Sequence, residues 1–509
     1  LKLNHTPGRE HHAKPVDFGP GRAIMGAIMK VSHPDSAGTR AGAPAGRRAF
    51  LQAALTGSAA AAALPRLTGC ATPPPACGLR GGVLREPVRE LPLRDDADVI
   101  VCGAGPAGVA AAVSAARAGA RTRLFDRHGC LGGVWTAGLL TWIFDFKKEG
   151  LTREIADRLD ARGARHGTQA AMFVYEPEEM KILLEELCEE AGVRVRLQTG
   201  VTAAYRDGGR LGAIVTESRS GREAWRAPVF IDATGDGDLG ALAGCGWDFG
   251  NPETGEAQPL TLNVLATVRD VALLRDLLSQ DDLKGHVAAV QRVKAEIRRA
   301  GIDPSYGMPT IFPVRDHVVL LMFNHEYGVK PYDADAMTAA TLRARKEIFA
   351  IMRGLRALGG RWDGLQIVAT PEQIGVREGR RIHGRYTVAK NDLVTGARHD
   401  DAVARVTFGV DIHAATRAKN EKQTIERGGV ARTLPYDIPL RALIAKDVDG
   451  LMMAGRCISG DFVAHASYRV TGNAVATGEG AGRVAALAAR RGCLPHEVDW
   501  TEAKKGMQE

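Results

Sequence analysis

An α/β fold built on a parallel sheet is predicted by three observations. Residues 98–133 run through an apolar strand, a glycine turn, an Ala-rich helix, a second strand ending in an acid, and a glycine pair. A second short apolar strand at 229–232 runs into Ala233-Thr234-Gly235-Asp236. A third strand and a long small-residue helix of the same character come only at 450–491, so the sheet is discontinuous and an insertion separates its parts.

The first unit carries the GxGxxG pattern as Gly103-Ala104-Gly105-Pro106-Ala107-Gly108. Gly103 makes the tight turn, Gly105 lets the backbone approach a pyrophosphate, and Gly108 lets the helix pack on the strand. The helix that opens at Pro106 and Ala107 offers free N–H groups and a partial positive charge to phosphates. The strand at 121–125 then delivers Asp126, followed by Arg127, 23 residues after Gly103, which suits a carboxylate that accepts hydrogen bonds from ribose hydroxyls. The unit is therefore Rossmann-like and dinucleotide-binding.

Further along, a helix at 178–190 follows Pro177, has acids in its first turn, and carries Ile182, Leu183 and Leu187 on one face. Strands are expected at 193–198 and 229–232. Between 260 and 443 the pattern is mixed, with strands at 261–268 and 317–323 and a helix at 334–358, an α+β region expected to cover a substrate. The closing segment has a strand ending at Gly455-Arg456 and a helix starting near Thr471-Gly472-Asn473. The resulting division is 97–250 and 448–493 for the discontinuous nucleotide domain, 251–447 for the insertion, and 494–509 for a tail.

Gly235-Asp236-Gly237-Asp238-Leu239-Gly240 also spells GxGxxG. No βαβ unit with a ribose-binding acid follows it, so a second, nicotinamide-binding fold is not expected.

These motifs resemble the FAD-dependent oxidoreductases related to the flavin subunit of heterodisulfide reductase, over residues 98–491. In that family a glycine pair follows the acid closely, as Gly132 and Gly133 follow Asp126, with Thr136 in the hydroxyl position. Ala233, Thr234, Gly235 and Asp236 match a signature of the same flavin domain, and 450–482 matches its closing flavin segment. The resemblance implies FAD as cofactor, with the last helix directed at the flavin ring. Relatives with iron–sulfur clusters carry cysteine motifs this chain lacks. Its eight cysteines contain no CxxC, so neither a cluster, a dithiol pair nor a haem attachment is supported, and no metal site is expected. Cys130 and Cys457 lie in flavin segments, where buried inert thiols are favoured.

The formal charge of +8 misleads. Residues 1–70 hold nine of the 67 Lys and Arg but three of the 59 Asp and Glu, so the remainder is nearly neutral and a nucleic-acid footprint is not supported. That leader contains Arg47-Arg48-Ala49-Phe50-Leu51, which resembles a twin-arginine export motif. An apolar segment at 49–64, too short to span a bilayer, follows it. Leu67-Thr68-Gly69-Cys70 resembles a lipoprotein box. The expectation is a periplasmic or cell-envelope lipoprotein whose membrane contact is the lipidated Cys70 alone, or a simple cleavage site with Cys70 unmodified. Residues before Met29 are expected to be an over-extended, unstructured start, and 71–96 reads as a tether.

The candidates for chemistry are His465 as acid or base and Arg469 as holder of a carboxylate or flavin oxygen, because they precede the flavin-facing helix. The competing assignment is that both bind FAD or each other structurally. Arg377-Glu378-Gly379-Arg380-Arg381 and Asp411-Ile412-His413 resemble family motifs, and a buried ion-pair network is the favoured reading of the arginines, with positioning of an anion as the alternative. The function expected is an FAD-dependent dehydrogenase of a small molecule, passing electrons to a quinone, a carrier protein or oxygen. The alternatives are a flavin-dependent reductase of an unsaturated bond and a non-enzymatic electron-transfer flavoprotein.

Overall fold

The structure, a computed structural model, describes residues 78–80, 82–86, 88–167, 171–279, 283–419 and 433–505. The leader's Arg47, Arg48 and Cys70, and the start before Met29, lie outside these. Residues 1–87 and 88–509 form separate units, and the described part of the first is an antiparallel hairpin of Gly78–Arg80 and Val83–Arg85.

At the heart of the second unit is a five-stranded parallel sheet in the order Leu451–Met453, Val229–Asp232, Val99–Cys102, Thr122–Phe125 and Arg194–Arg196. Every residue of Val99–Cys102 is buried, as expected of a central parallel strand covered on both faces. Helices Pro106–Arg117 and Thr471–Arg491 cover one face. Trp225 packs on Phe125 from the other, with ring centroids 5.0 Å apart. It belongs to an antiparallel meander of Gly200–Asp207, Arg210–Ser218 and Gly221–Trp225, extended by Leu93–Arg94 out of the segment read as a tether.

The two covering helices touch backbone to backbone. A Cβ on Gly478 would stand 2.1 Å from the carbonyl oxygen of Ala107, and one on Gly482 2.1 Å from that of Ala111. Ser114 Oγ crosses the same seam to donate to the Glu479 carbonyl at 2.8 Å. Small residues one helical turn apart let two helices approach this closely.

The insertion is α+β. Its antiparallel sheet, in the order Thr310–Arg315, Val318–Met322, Val264–Thr267 and Gln366–Ala369, is backed by helices Leu283–Arg299 and Ala334–Ala357. Alternation sorts its faces. Ile311, Val319 and Leu321 join a core with Val293, Ile297, Ile348 and Met352, while Phe312, Leu320 and Met322 point the other way. Thr310–Arg315 is an edge strand, which accommodates Pro313.

The strand at 229–232 does not open a second nucleotide fold. Only a five-residue helix, Asp238–Leu242, follows it, and the next strand, Trp247–Asp248, pairs antiparallel with Arg381–Ile382. The terminal 494–509 segment is folded in part, with helix Trp500–Lys505 burying Trp500 and Ala503. No helix among the described residues is long and apolar enough to cross a membrane.

Candidate active site

A cavity of about 1170 Å³ opens at the carboxyl ends of the parallel strands, where α/β sheets bind ligands. Its first end is the glycine turn. Gly103 has φ of +95°, and a Cβ there would lie 2.5 Å from the carbonyl oxygen of Ala233, so only glycine fits. Gly105 differs: it lines the cavity, and nothing stands within 4 Å of where its Cβ would be. No protein packing requires that bareness. The space it leaves, against the first N–H groups of helix Pro106–Arg117, is the room a pyrophosphate needs.

Asp126 lines the same end and is 7% exposed. It accepts from the backbone N–H of Ala104 at 2.5 Å and of His128 at 2.7 Å, which fixes the carboxylate and leaves lone pairs for ribose hydroxyls. Pro106, Ala107, Arg127, Gly133, Ala233, Thr234, Gly235, Asp236, Gly455 and Arg456 also line the cavity. Arg456 pairs with Asp236 at 2.9 Å, while its Nη1 is buried without a partner among the described residues, a donor suited to a cofactor oxygen. This donor set, turn and acid fit FAD.

Five residues expected to bind the cofactor do not reach the cavity. Gly108 is spent on packing, because its Cβ would stand 1.8 Å from the Gly103 carbonyl oxygen. Gly132 donates its N–H to the Ala104 carbonyl at 2.7 Å, and the Thr136 hydroxyl donates to that of Leu131 at 2.5 Å, so both shape the turn from behind. Gly472 lies against the Asp145 backbone, and Asn473 is 1% exposed beside it. Helix Thr471–Arg491 meets the cavity instead through Thr471, Ala474 and its capping residue Val470.

The catalytic expectation for His465 also needs correction. Residues 462–468 are a helix capped by Asp461, whose Oδ1 accepts from Ala464 N at 2.7 Å, and this turns His465 inward. It is fully buried against Tyr468, its ring nitrogens make no hydrogen bond of normal geometry among the described residues, and it does not line the cavity. Burial, then Arg381 and Arg469, hold it well below the usual histidine range, so it is a neutral packing group. Arg469 does line the cavity.

Arg469 belongs to a polar cluster at the far end. Its Nη2 donates to the Asp411 backbone carbonyl at 2.8 Å and to Asp411 Oδ2 at 3.1 Å. His413 Nε2 meets the same Oδ2 at 3.2 Å, and the backbone N–H of His413 donates to Gln258 Oε1 at 3.0 Å. Asp411 fronts the cavity, and 47% of its side chain is accessible. Burial works to raise its pKa, but His413, then Arg469 and Arg377, outweigh that and hold it well below the usual carboxylate range. His413 is lowered as well, to about 4, through burial first and then Arg377, against the pull of Asp411. A neutral imidazole steered by a carboxylate can accept a proton at neutral pH, as a weaker base than an ordinary histidine.

The three arginines of the 377–381 stretch separate. Arg381 is buried in a pair with Glu378 at 2.5 Å and also donates to the carbonyls of Gly460 and Gly250. Arg380 pairs with Asp238 at 3.0 Å beneath Tyr332. Only Arg377 lines the cavity, donating Nη1 to Pro259 O at 2.8 Å and to Thr261 Oγ1 at 2.5 Å. Between the two ends runs an aromatic wall of Trp142 stacked on Phe312 at 4.8 Å, with Phe144 against Phe408 at 5.1 Å.

Cys457 is fully buried and donates to Asp232 O at 3.3 Å, and burial raises its thiol well above the usual range. Among the described residues no group of three or more His, Cys, Asp or Glu is placed to hold a metal.

Among curated proteins no match to the chain is found. Solved structures similar to it include a geranylgeranyl bacteriochlorophyll reductase-like protein from Thermoplasma acidophilum, at 13% identity and a TM-score of 0.40, over 82% of this chain and 84% of that one. Another is the p-nitrophenol 4-monooxygenase of Pseudomonas putida, at 11% identity and 0.43, over 81% and 84%. The profile of one family, described as FAD dependent oxidoreductase, matches residues 98–507. Spanning the glycine turn, the insertion and the closing helix in one match, it makes the chain a member of the FAD-dependent oxidoreductase family and an enzyme that works with FAD.

Proposed function

We propose that the enzyme is a dehydrogenase, oxidising a CH–OH or CH–NH group of a small molecule with His413 as general base. The observation that carries this is one continuous cavity from the Gly103–Gly105 turn to the Asp411–His413 pair. At about 1170 Å³ it exceeds the roughly 300–1,000 Å³ of a single-ligand pocket, which supports room for substrate beside cofactor and argues against a bare electron carrier. FAD supplies a two-electron acceptor at its N5. The protein's task is then the proton: the substrate's O–H or N–H proton goes to His413, whose other nitrogen is steered by Asp411. Arg469 holds Asp411 in place. Electrons leave to a quinone, a carrier protein or oxygen.

Anaerobic mixing of the purified holoenzyme with a panel of alcohols, amines, hydroxy acids and amino acids tests this. At least one class is expected to bleach the flavin absorbance. Bleaching by none, together with reoxidation of chemically reduced enzyme by an alkene, would favour a reductase instead.

The glycine pair and closing segment support a place near the flavin subunit of heterodisulfide reductase. We further propose export as a twin-arginine lipoprotein, supported by Arg47-Arg48 and Cys70. That route carries folded proteins, and a flavoprotein needs its cofactor before crossing. Arg47→Lys with Arg48→Lys is expected to leave the protein in the cytoplasm, and unchanged export would refute the route.

A further inference from the structure

We propose that the substrate is an amphipathic monocarboxylate, its carboxylate held by Arg377 and its apolar body lying against Trp142, Phe144, Phe312 and Phe408. This rests on the dehydrogenase reading of the same site and adds the chemical class of its donor.

Arg377 is the reason. It lines the cavity, and no carboxylate lies within 4.0 Å of it among the described residues; its Nη1 bonds are to neutral oxygens. Burial, with Arg469 adding repulsion, pulls it down to about 10, so the fold bears a cost for keeping a guanidinium there. A buried cation without a counter-ion is expensive, and a ligand anion removes that expense. Asp411 acts on Arg377 only at longer range, with no ion-pair contact, and its Oδ2 is engaged by Arg469 and His413.

The charge of the anion follows from the neighbours. Glu378 with Arg381 at 2.5 Å and Asp236 with Arg456 at 2.9 Å are self-contained pairs. That leaves Arg377 and Arg469 against Asp411, with His413 neutral: two guanidiniums facing one carboxylate. One positive charge is unbalanced, which a monoanion cancels and a phosphate dianion overshoots. A planar guanidinium fork also matches a carboxylate.

The body of the ligand is set by the wall. Trp142, Phe144, Phe312 and Phe408 form a chain of ring contacts with centroids 4.8 to 5.7 Å apart. Phe408 stands three residues before Asp411, and both line the cavity, so the apolar wall and the charged end are joined by one short segment.

Benzoate and its neutral isostere benzamide separate charge from shape. Calorimetry on the FAD-loaded enzyme, with the flavin spectrum as a second readout, is expected to show benzoate binding about 10- to 100-fold more tightly than benzamide. Arg377→Gln should weaken benzoate by a similar factor and leave benzamide unchanged, while Arg377→Lys should recover part of the loss. Equal affinities for the two probes, no binding of either, tighter binding of inorganic phosphate than of benzoate, or an unaltered benzoate affinity in Arg377→Gln would overturn the proposal. The two readings fail separately. Bleaching by uncharged alcohols with no response to benzoate leaves the dehydrogenase standing and removes the carboxylate, whereas benzoate binding without bleaching by any donor does the reverse.

Discussion

Replacing His413 by Gln is expected to slow anaerobic flavin reduction by substrate about 10²- to 10⁴-fold while FAD stays bound, the range typical of losing a positioned general base. Gln keeps the size and a polar atom near Asp411 Oδ2, 3.2 Å from His413 Nε2, but takes no proton. The pH profile gives an independent reading. A base must be neutral to act, and His413 is held down to about 4, so protonation disables it only as pH falls through about 4. Flavin reduction should therefore already be at its plateau at pH 6, where an ordinary histidine with a pKa near 6.5 would be mostly protonated. Stopped-flow reduction from pH 3.5 to 8 checks this. An acid limb centred near 6.5, or a His413→Gln variant as fast as the parent, removes His413 from the mechanism.

The second large effect is expected at the seam between the covering helices. Gly482→Val should lower stability by about 3 kcal/mol or more, lower Tm by roughly 3–6 °C and strip FAD from the purified protein. A Cβ at Gly482 would sit 2.1 Å from the Ala111 carbonyl oxygen, a contact with backbone that no rotamer relieves. The helices must part, and the turn at Gly103–Gly108 moves with one of them. Even Ala should show part of the loss. Differential scanning calorimetry and the ratio of flavin to protein absorbance measure both effects, and a fully flavinated Gly482→Val with unchanged Tm would show that the seam is soft.

The nucleotide end was legible in the sequence because its chemistry depends on residues close together along the chain. Gly103, Gly105 and Asp126 belong to one βαβ unit, and local rules about turns and helix starts apply to them directly. The strands at 99–102 and 229–232 and the helix at 334–357 were readable for the same reason. The chemical end was legible only in part, since Arg469, Arg377, Asp411 and His413 stood out as candidates but not as one cluster beside an aromatic wall. Trp142, Phe312, Arg377 and His413 come from four separate stretches, and only tertiary packing says that Arg377 faces the cavity while Arg381, four residues on, is sealed behind Glu378. His465 was chosen for its place just before the flavin-facing helix, which does not say which way the side chain points. Asp461, which caps the helix Phe462–Tyr468, was the cue that the segment is helical and that His465 turns inward. The meander at 200–225 left no sharp signal, its three strands showing mixed burial rather than strict alternation.

The seam has a consequence for how the protein is made. Ser114 and the Glu479 carbonyl that it bonds lie 365 residues apart, and the sheet's outermost strand, Leu451–Met453, is as late in the chain as the helix beside it. At about 5–20 residues per second, a ribosome takes on the order of 20–70 s between those two points. Throughout that interval the face of helix Pro106–Arg117 that receives Gly478 and Gly482 is uncovered, although strands Thr122–Phe125 and Val229–Asp232 are made early enough to flank Val99–Cys102. Such long-range closure is slow and leaves apolar surface bare while it waits. Helix Pro106–Arg117 therefore gains its closest neighbour only once 471–491 has been made, and a chain that stops near 450 carries the glycine turn and Asp126 without the helix that packs on Ala107 and Ala111.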